Sequence, residues 1–562
     1  MVASRAIVKF KTPPSANTLT RVRSNSIASR LAALGNSGWY VVDSRSKSAA
    51  DLIAVLQQDP AVDQAAGDVI GWAAGRGRHT LNRRARLSPL FTDVIPNDPG
   101  FPDEWDLRNT GQTINGVTGV DGADIDVEGA WSRSQQILGS KAGTPTAIAV
   151  FDSGIAYGLS DLSENMWSAP SAYTISIQGN VYDCPEGSHG FSAVDFTSGC
   201  SGQENEAWSH GTQVASVIGA IGNNSEGMVG EAWATEMLSI RIFDANGLTS
   251  ETTVQTGIDA LLQIMNTFGT QAPVGVINMS ITFGGPTPGL ESSIQEAAAH
   301  GIVTAAATGN ECGPSADYPA LYRTTGEIAV SGSDQLDEPM FFSDSDCSNP
   351  GGQVAAPGKN IEAIAPGGTF APNFGGTSAS TPLVSAAAAI LMSQCPLSPN
   401  AVVNTLAGTA REITNLNSIA DAGQRLDLGA ALASCLDVGE NSNGQGSLSV
   451  DLEPGDGIYA TTGEINVTID GITYSSSYDT SSDNTESIAE GLAGAISGRY
   501  VDANDNGDGT VSLSSQAKGS FTNYSVSVAV TKHCNGPAPE CDPAPTVHGQ
   551  SFTGGTGPTR PQ

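Results

Sequence analysis

A run of small residues near the middle of this 562-residue chain predicts a buried helix and the point where that helix begins. Gly375 and Gly376 come first, two small hydroxyl residues follow, and Pro382 precedes the Ala-rich stretch Leu383–Leu391. Alanine is a strong helix former, and proline is accepted in a first helical turn. The pattern predicts that Ser378 stands at a helix N-terminus, where free backbone N–H groups favour negative charge. Such a serine either caps the helix or acts as a nucleophile, and this stretch by itself does not separate the two.

Two upstream stretches supply the partners that a nucleophilic serine needs. Ala147–Ile155 has the pattern of a buried strand and contains Asp152, and Trp208–Ile218 has His210 at the start of a second small-residue helix. An imidazole can take the proton of a serine hydroxyl and later protonate the leaving amine. A carboxylate beside it would hold the ring in the right tautomer. The chain order of acid, histidine and serine matches one of the known catalytic triads.

The three motifs and the gaps between them resemble the subtilisin-like serine peptidases, or subtilases, over about residues 96–436. The resemblance implies that Asp152, His210 and Ser378 hydrolyse peptide bonds through an acyl-enzyme. It also implies that Asn310, at the end of a predicted strand, donates a hydrogen bond to the oxyanion. One departure is the run Ala379–Pro382, where the family more often has Met-Ala-Ser-Pro.

The resemblance also implies where a peptide substrate would bind. Ser280, Gly284 and Gly285 belong to a segment similar to the strand against which subtilases pair an extended peptide, with two extra residues before the glycines. Asp317 lies close to where the family lines the floor of its main pocket. A carboxylate there would favour a basic residue before the scissile bond, whereas an exposed acid in a loop is the alternative interpretation.

A structural calcium ion is a further implication of the resemblance. Asp161, nine residues after Asp152, matches a ligand position of the family's tight calcium site, and Asn224 lies in a segment that resembles its ligand loop. Carboxylate and amide oxygens are hard donors that suit Ca²⁺. Asn223 is the alternative side-chain ligand, and ordinary polar loops are the alternative interpretation of both stretches.

Short apolar runs alternate with helical stretches, which predicts an α/β catalytic domain. The predicted strands are Thr146–Phe151, Glu236–Ile242, Gly275–Ser280, Ile302–Ala306 and Glu327–Ser331, and the predicted helices between them are Val254–Met265 and Gly289–His300. We therefore expect a subtilisin-like parallel sheet flanked by helices, with a small α+β propeptide and a small β-rich C-terminal module.

Changes of composition along the chain predict six segments. They are an inhibitor-like propeptide (1–75), a basic linker (76–95), the catalytic domain (96–436), a second linker (437–446), an α+β accessory module (447–534) and a disordered tail (535–562). The first segment resembles the subtilase propeptide in its pattern, which implies an intramolecular inhibitor.

The net charge of -33 restricts the classes of partner. Residues 1–95 carry 13 basic and 6 acidic side chains, a charge of +7, and the remainder carries 12 and 52, a charge of -40. The acidic body argues against nucleic acid as a partner, and the basic front end suggests a segment that packs on the acidic body. The resemblance implies protein or peptide substrates and an inhibitory role for that segment. No apolar run reaches the ~20 residues of a membrane span, and no signal peptide is visible. We expect a secreted, extracellular monomer.

Eight cysteines suit a secreted chain. Pairing of nearest neighbours predicts the disulfides Cys184–Cys200, Cys312–Cys347, Cys395–Cys435 and Cys534–Cys541. Two other functions stay open. One is an inactive subtilase-like binding or adhesion protein. The other is a non-peptidase hydrolase, which would more often show a Gly-x-Ser-x-Gly elbow, and Gly376–Ser380 lacks the final glycine.

Overall fold

The computed structural model of the chain describes most of its residues. The described ranges are 4–34, 37–44, 46–68, 70–73, 95–138, 146–194, 199–203, 209–343, 346–436, 443–452, 461–498, 500–517, 522–534 and 543–553. The predicted basic linker lies outside these ranges apart from Ile95, and so does the second predicted linker apart from residues 443–446.

The chain divides into two compact units. The first comprises Met1–Ala297, Ile302–Ser393 and Ala410–Gly429, and the second comprises Ala298–Gly301, Gln394–Thr409 and Ala430–Gln562. The predicted propeptide therefore belongs to the same compact unit as most of the predicted catalytic domain.

The N-terminal part of the first unit is an α+β fold. Its elements are β1 (Arg5–Phe10), α1 (Ala16–Ser26), β2 (Ala28–Leu34), β3 (Trp39–Ser44), α2 (Ala49–Leu56), β4 (Val62–Gly67) and β5 (Ile70–Ala73). An antiparallel sheet of order β2-β3-β1-β4 buries its apolar residues against both helices. The prediction missed α1, whose buried side chains are Val22 and Ser26 in a largely polar sequence. β4 ends at Gly67, and β5 joins a different sheet.

Residues 95–436 contain the parallel sheet and its helices. The elements are β6 (Thr113–Ile114), β7 (Val117–Thr118), α3 (Val127–Leu138), β8 (Ala147–Asp152), α4 (Ser160–Ser163), β9 (Tyr173–Ile177), β10 (Asn180–Cys184), β11 (Gly190–Ser192), α5 (His210–Gly219), β12 (Met237–Arg241), β13 (Leu248–Ser250), α6 (Glu251–Phe268), β14 (Val274–Met279), β15 (Ile281–Phe283), α7 (Pro288–Ala299), β16 (Val303–Ala307), β17 (Glu327–Ser333), β18 (Phe341–Ser343), β19 (Asp346–Cys347), β20 (Val354–Pro357), α8 (Thr377–Gln394), α9 (Pro399–Thr409), β21 (Arg411–Glu412), β22 (Gln424–Arg425) and α10 (Leu428–Leu436). Short 3₁₀ turns lie at 101–103, 269–271, 414–418 and 421–423.

The large sheet has nine strands in the order β11-β12-β8-β14-β16-β17-β20-β22-β21. All neighbours are parallel except β22 and β21. Every residue of β8 is buried, and α6 and α7 contribute Val254, Ile258 and Leu290 to the apolar cluster on this part of the sheet. The predicted α/β fold with a parallel sheet and flanking helices is confirmed, and each of its five predicted strands is present within two residues of the predicted bounds.

The C-terminal part of the second unit is β-rich. Its elements are β23 (Gln445–Asp451), β24 (Thr462–Ile469), β25 (Ile472–Asp479), α11 (Thr485–Ile496), β26 (Val501–Asp505), β27 (Thr510–Ser515), β28 (Val526–Val530) and β29 (Thr546–Thr553). They form two antiparallel sheets, β26-β27-β23-β29 and β25-β24-β28. Asp470 and Gly471, both with positive φ, make the two-residue hairpin between β24 and β25, which is the turn that an Asp-Gly pair favours.

The predicted disordered tail is wrong for its central part. Residues 546–553 form β29, which pairs with β23 and buries Val547 and Phe552. The average composition of the segment is rich in Pro, Gly and Thr, so these two apolar residues did not show in it. Two buried side chains suffice for a strand here because β23 supplies the backbone hydrogen bonds. Residues 554–562 lie outside the described residues.

Three of the four predicted disulfides are confirmed, namely Cys184–Cys200, Cys312–Cys347 and Cys395–Cys435. Cys534 is also disulfide-bonded, while Cys541 lies outside the described residues. Within the described ranges, no single helix is long and apolar enough to cross a membrane, and only α8 and α9 taken together meet that criterion of length and composition.

Candidate active site

Asp152 and His210 meet where a buried strand ends and a helix begins. Asp152 is the last residue of β8 and fully buried, and His210 is the first residue of α5. His210 Nδ1 lies 2.8 Å from Asp152 Oδ1 and 3.0 Å from Oδ2. The close approach of α5 requires glycine after the histidine, because a Cβ at Gly211 would lie 2.1 Å from the carbonyl oxygen of Gly154. The carboxylate can therefore hold the imidazole in one orientation and tautomer.

Ser378 is the second residue of α8 and is fully buried. Its Oγ donates a 3.3 Å hydrogen bond to the carbonyl of Ser280. The helix begins at Thr377, so Pro382 lies in the second turn and not, as predicted, in the first. A proline inside a helix has no N–H for the carbonyl four residues earlier, which here is that of Ser378. The Ser280 hydroxyl fills this role by donating to the Ser378 carbonyl at 3.0 Å.

Replacing Ser280 by alanine is expected to lower the free energy of unfolding by about 1–3 kcal/mol, because the buried Ser378 carbonyl loses its donor. In a Pro382→Ala background the new N–H at position 382 can donate to that carbonyl. We therefore expect Ser280→Ala to cost less there. Denaturant unfolding measures both losses in a Ser378→Ala chain, which cannot digest itself. Equal losses with proline and with alanine at position 382 would exclude this compensation.

Asn310 lies three residues after β16, close to the start of α8. Its Oδ1 accepts a 2.8 Å hydrogen bond from the backbone N–H of Thr377, which sets the orientation of the amide. Its Nδ2 is buried and has no hydrogen-bond partner among the described residues. An amide nitrogen that is oriented, buried and unused beside the residue preceding Ser378 is suited to donate to a developing oxyanion.

The end of the N-terminal segment, β5, is the central strand of a short three-stranded sheet. β5 lies between β13 and β15 and is antiparallel to both. Ala73 pairs with Ile281, and Gly71 pairs with Phe283. The two extra residues before the glycines thus belong to the pairing strand, and Gly284 and Gly285 come after it. The prediction missed β13, because a three-residue strand is too short to show alternation.

Further contacts join the N-terminal segment to α6 and α7. The fully buried Asp68 carboxylate accepts from the backbone N–H of Thr252 at 3.0 Å and from its hydroxyl at 2.7 Å, at the N-terminus of α6. Arg5 Nη1 lies 3.3 Å from Asp68 Oδ2. The indole of Trp39 donates to the hydroxyl of Ser292 in α7 at 3.1 Å. A carboxylate at a helix N-terminus is favourable, so these contacts hold the segment against both helices.

Asp317 lies immediately before the segment that pairs with β15. Tyr318 exchanges two backbone hydrogen bonds with Phe283, at 2.7 and 3.2 Å. Burial, a hydrogen bond to Glu311 and the charge of Glu311 raise the pKa of Asp317 to about 7. Asp317 is therefore half of a carboxyl pair with Glu311, a residue that the sequence analysis did not single out. The sequence offered one signal for this pair, namely that the acidic residue Glu311 directly follows Asn310, the predicted oxyanion donor.

The predicted calcium ligands are close together. Asp161 is buried, and its Oδ1 accepts a 2.8 Å hydrogen bond from Asn224 Nδ2. Its Oδ2 accepts from the backbone N–H of Met228 at 3.0 Å. Burial, together with the charges of Asp98 and Glu226, raises the pKa of Asp161 to about 6, outweighing the two hydrogen bonds that lower it. A cation would relieve this repulsion, and carboxylate and amide oxygens are donors that suit Ca²⁺. The Asn224 Oδ1 accepts from the backbone N–H of Glu226 at 2.8 Å, so that oxygen would have to turn towards Asp161 to bind the ion.

A metal cluster of another kind is not present in the part of the chain that the structure describes. Those residues contain no group of three or more His, Cys, Asp or Glu side chains arranged to hold a metal ion. The proposed calcium ligands would therefore depend on amide and backbone oxygens as well as on the Asp161 carboxylate.

Residues 143–433 match the family model of the subtilase family. Subtilisin Savinase of Lederbergia lenta is 32% identical over 209 residues, which cover 37% of this chain and 72% of the relative. Subtilisin E of Bacillus subtilis (strain 168) is 35% identical over 214 residues, which cover 37% of this chain and 52% of the relative. An alkaline protease of Shouchella clausii is 32% identical over 209 residues, which cover 37% of this chain and 51% of the relative. The chain spans about half the length of the last two relatives.

A solved structure is similar in fold. It is fervidolysin from Fervidobacterium pennivorans, described as a keratinolytic enzyme related to subtilisin. The TM-score is 0.55 with 18% sequence identity, and the match covers 85% of this chain and 68% of that chain. At this identity the likeness supports the fold.

Proposed function

This chain belongs to the subtilase family of serine endopeptidases, and from that premise we propose that Asp152, His210 and Ser378 cleave peptide bonds through an acyl-enzyme. The observation that carries the proposal is the buried Asp152 carboxylate 2.8 Å from His210 Nδ1, at the carboxyl end of a parallel strand. The ring of His210 also lies 5.6 Å from the ring of Phe374, which comes four residues before Ser378, so the segment that carries the proposed nucleophile reaches the histidine.

In the proposed reaction Ser378 Oγ attacks the scissile carbonyl carbon while His210 takes its proton. The C–N bond then breaks, His210 protonates the leaving amine, and the acyl group stays on the serine oxygen. Water attacks this ester with His210 again as the base, which releases the acid and restores the serine. Asn310 Nδ2 and the backbone N–H of Ser378 would stabilise the oxyanion in both halves.

Labelling with a fluorophosphonate tests this function directly. We expect one covalent adduct per chain, which peptide mapping assigns to Ser378, and none in a Ser378→Ala variant. Labelling should be accompanied by hydrolysis of a peptide amide. A chain that takes up no label and cleaves no peptide would instead be an inactive binding protein, and one that cleaves esters but not peptides would be another type of hydrolase.

We propose that residues 1–75 are an inhibitory propeptide that the enzyme removes from itself. The support is β5, which lies between β13 and β15 as an extended peptide would. Its antiparallel register pairs Ala73 with Ile281, the neighbour of Ser280, whose carbonyl accepts from Ser378 Oγ. The first peptide bonds after Ala73 are therefore the ones we expect the enzyme to cleave.

We propose that Asp161 and the amide oxygen of Asn224 help to bind a structural Ca²⁺ ion. In a Ser378→Ala chain, calcium at 100 times its dissociation constant should then add about 2.7 kcal/mol to the free energy of unfolding. Thermal unfolding with and without a chelator measures this, with Mg²⁺ as the control ion because it demands a smaller octahedral site. Asp161→Asn should remove most of the calcium-dependent shift. An unchanged shift in that variant would contradict the assignment.

We also propose that the protein is secreted and works as a monomer on protein or peptide substrates. The disulfides support an oxidising compartment, and the acidic surface supports solubility there.

A further inference from the structure

Residues 308–313, which follow β16 and include Asn310, are hydrogen-bonded to β19 and to the residues after it. The backbone N–H of Cys347 donates to the carbonyl of Asn310, and that of Asn349 donates to the carbonyl of Gly309, both at 2.9 Å. Asn349 is 1% exposed. Main-chain hydrogen bonds therefore hold the backbone of the proposed oxyanion donor.

The side chain of Asn349 adds hydrogen bonds at both ends of this segment. Its Oδ1 accepts from the backbone N–H of Gly313 at 2.7 Å, and its Nδ2 donates to the carbonyl of Thr308 at 3.2 Å. Nδ2 also lies 3.3 Å from Glu311 Oε2, and that carboxylate accepts from the backbone N–H of Asn310 at 2.9 Å. One buried amide thus contacts residues before and after the proposed donor.

Gly309 shows how closely Asn349 approaches this segment. The φ of Gly309 is +102°, which favours glycine, and a Cβ there would lie 2.6 Å from Asn349 Nδ2. The backbone N–H of Gly309 donates to the Thr377 hydroxyl at 3.2 Å, and the Thr377 N–H donates to Asn310 Oδ1 at 2.8 Å. The start of α8 and the amide of Asn349 therefore both hold the residues around Asn310.

We propose, resting on the endopeptidase function above, that Asn349 is a positioning residue for the oxyanion donor. It acts through Asn310, because its amide fixes the backbone on both sides of that residue. Asn310 Nδ2 is buried and has no hydrogen-bond partner among the described residues, so its place depends on the Oδ1 contact and on this backbone. A displacement of about 1 Å can cost up to about 10²-fold in rate.

The test compares Asn349→Ala with the parent on one peptide amide. We expect kcat to fall by about 10–100-fold with little change in KM, because the donor acts on an oxygen that is charged only in the transition state. The amount of fluorophosphonate adduct counts the active sites, so unfolded chains do not lower the measured kcat. A raised KM at unchanged kcat would overturn the inference.

Asn349→Asp is the second variant, and it serves alone if the alanine variant does not fold. Aspartate has the size of asparagine and keeps an oxygen to accept from the Gly313 N–H. Its ionised carboxylate cannot donate to the Thr308 carbonyl, so kcat should fall at least as far as in Asn349→Ala. Parent-like kcat in Asn349→Asp would overturn the inference.

A double-mutant cycle separates positioning from a general structural role. If Asn349 acts through Asn310, replacing Asn349 by alanine in an Asn310→Ala background should change kcat by less than about twofold. A loss of equal size in both backgrounds would overturn the inference, because the effect would then not pass through the donor.

Asn109 provides the matched control, since it is also a fully buried asparagine that bonds three backbone groups. Its Oδ1 accepts from the Gly111 N–H at 3.1 Å, and its Nδ2 donates to the carbonyls of Ala123 and Gln335 at 3.2 and 3.0 Å. In Asn109→Ala, kcat per active site should stay within about twofold of the parent. A loss as large as in Asn349→Ala would indicate general destabilisation and overturn the inference.

The outcomes separate this inference from the function on which it rests. If the enzyme labels at Ser378 and cleaves peptides but Asn349→Ala keeps the parent kcat, the positioning role is wrong and the endopeptidase function stands. Absence of both labelling and cleavage in the parent would overturn the function and the inference together.

Discussion

Replacing Ser378 by alanine is expected to leave the chain at full length, while the parent chain loses its N-terminal segment with time. The register of β5 pairs Ala73 with Ile281, the neighbour of Ser280, whose carbonyl accepts from the Ser378 hydroxyl. Without that hydroxyl no acyl-enzyme can form, and turnover of peptide substrates should fall by about 10⁶-fold. Intact mass spectrometry of the purified proteins over time measures the processing, and N-terminal sequencing locates the cleaved bond.

The matched control is Ser380→Ala, which removes another fully buried hydroxyl from the same helix. It should be processed as the parent is. If Ser378→Ala and the parent both stayed whole, self-processing would be excluded. If both were shortened alike, the cleavage would be due to another protease, and the fluorophosphonate experiment would then decide whether Ser378 is a nucleophile.

Replacing Asn310 by alanine is expected to lower kcat by about 10²–10³-fold with little change in KM. The reason is that its Nδ2 would donate to an oxygen that becomes an anion only in the transition state. Steady-state kinetics on a peptide amide measures both constants. A large increase in KM at unchanged kcat would show that Asn310 contributes to ground-state binding instead.

An Asn310→Asp variant separates the donor from the support that the amide gives to α8. Aspartate keeps an oxygen to accept from the Thr377 N–H, which Asn310 Oδ1 accepts at 2.8 Å, but it loses the Nδ2 donor. At neutral pH we expect kcat to fall at least as far as in Asn310→Ala. Circular dichroism should show that the fold of the variant is unchanged. Near-parent activity in Asn310→Asp would show that the contact to Thr377, and not the donor, is what matters.

The sequence identified the acid and the histidine because both depend on local patterns. An apolar run ending in Asp152 predicts a buried strand end, and small residues after His210 predict a helix start. The structure brings these two side chains to 2.8 Å. The disulfides of the first unit were also predictable, since Cys184–Cys200 and Cys312–Cys347 join cysteines that are near in sequence.

Contacts between distant segments could not be predicted in the same way. The compensation of Pro382 by the Ser280 hydroxyl joins residues about 100 positions apart, and nothing in either stretch points to the other. The strand β29 lies in a segment whose average composition predicts disorder, and it exists because β23 offers an edge to pair with. The segment is polar overall, and its only two buried side chains among residues 546–553 are Val547 and Phe552.

What the sequence by itself determined is the α/β class, the parallel sheet and the three motifs, because helix and strand periodicity and the residues at element ends are local properties. Only the tertiary structure decided that β5 lies between β13 and β15 and that Asp68 accepts hydrogen bonds at the N-terminus of α6. It also decided that Glu311 and Asp317 both contact the side-chain amide of Asn349. These arrangements depend on which surfaces pack together, and packing brings together side chains that no spacing along the chain relates.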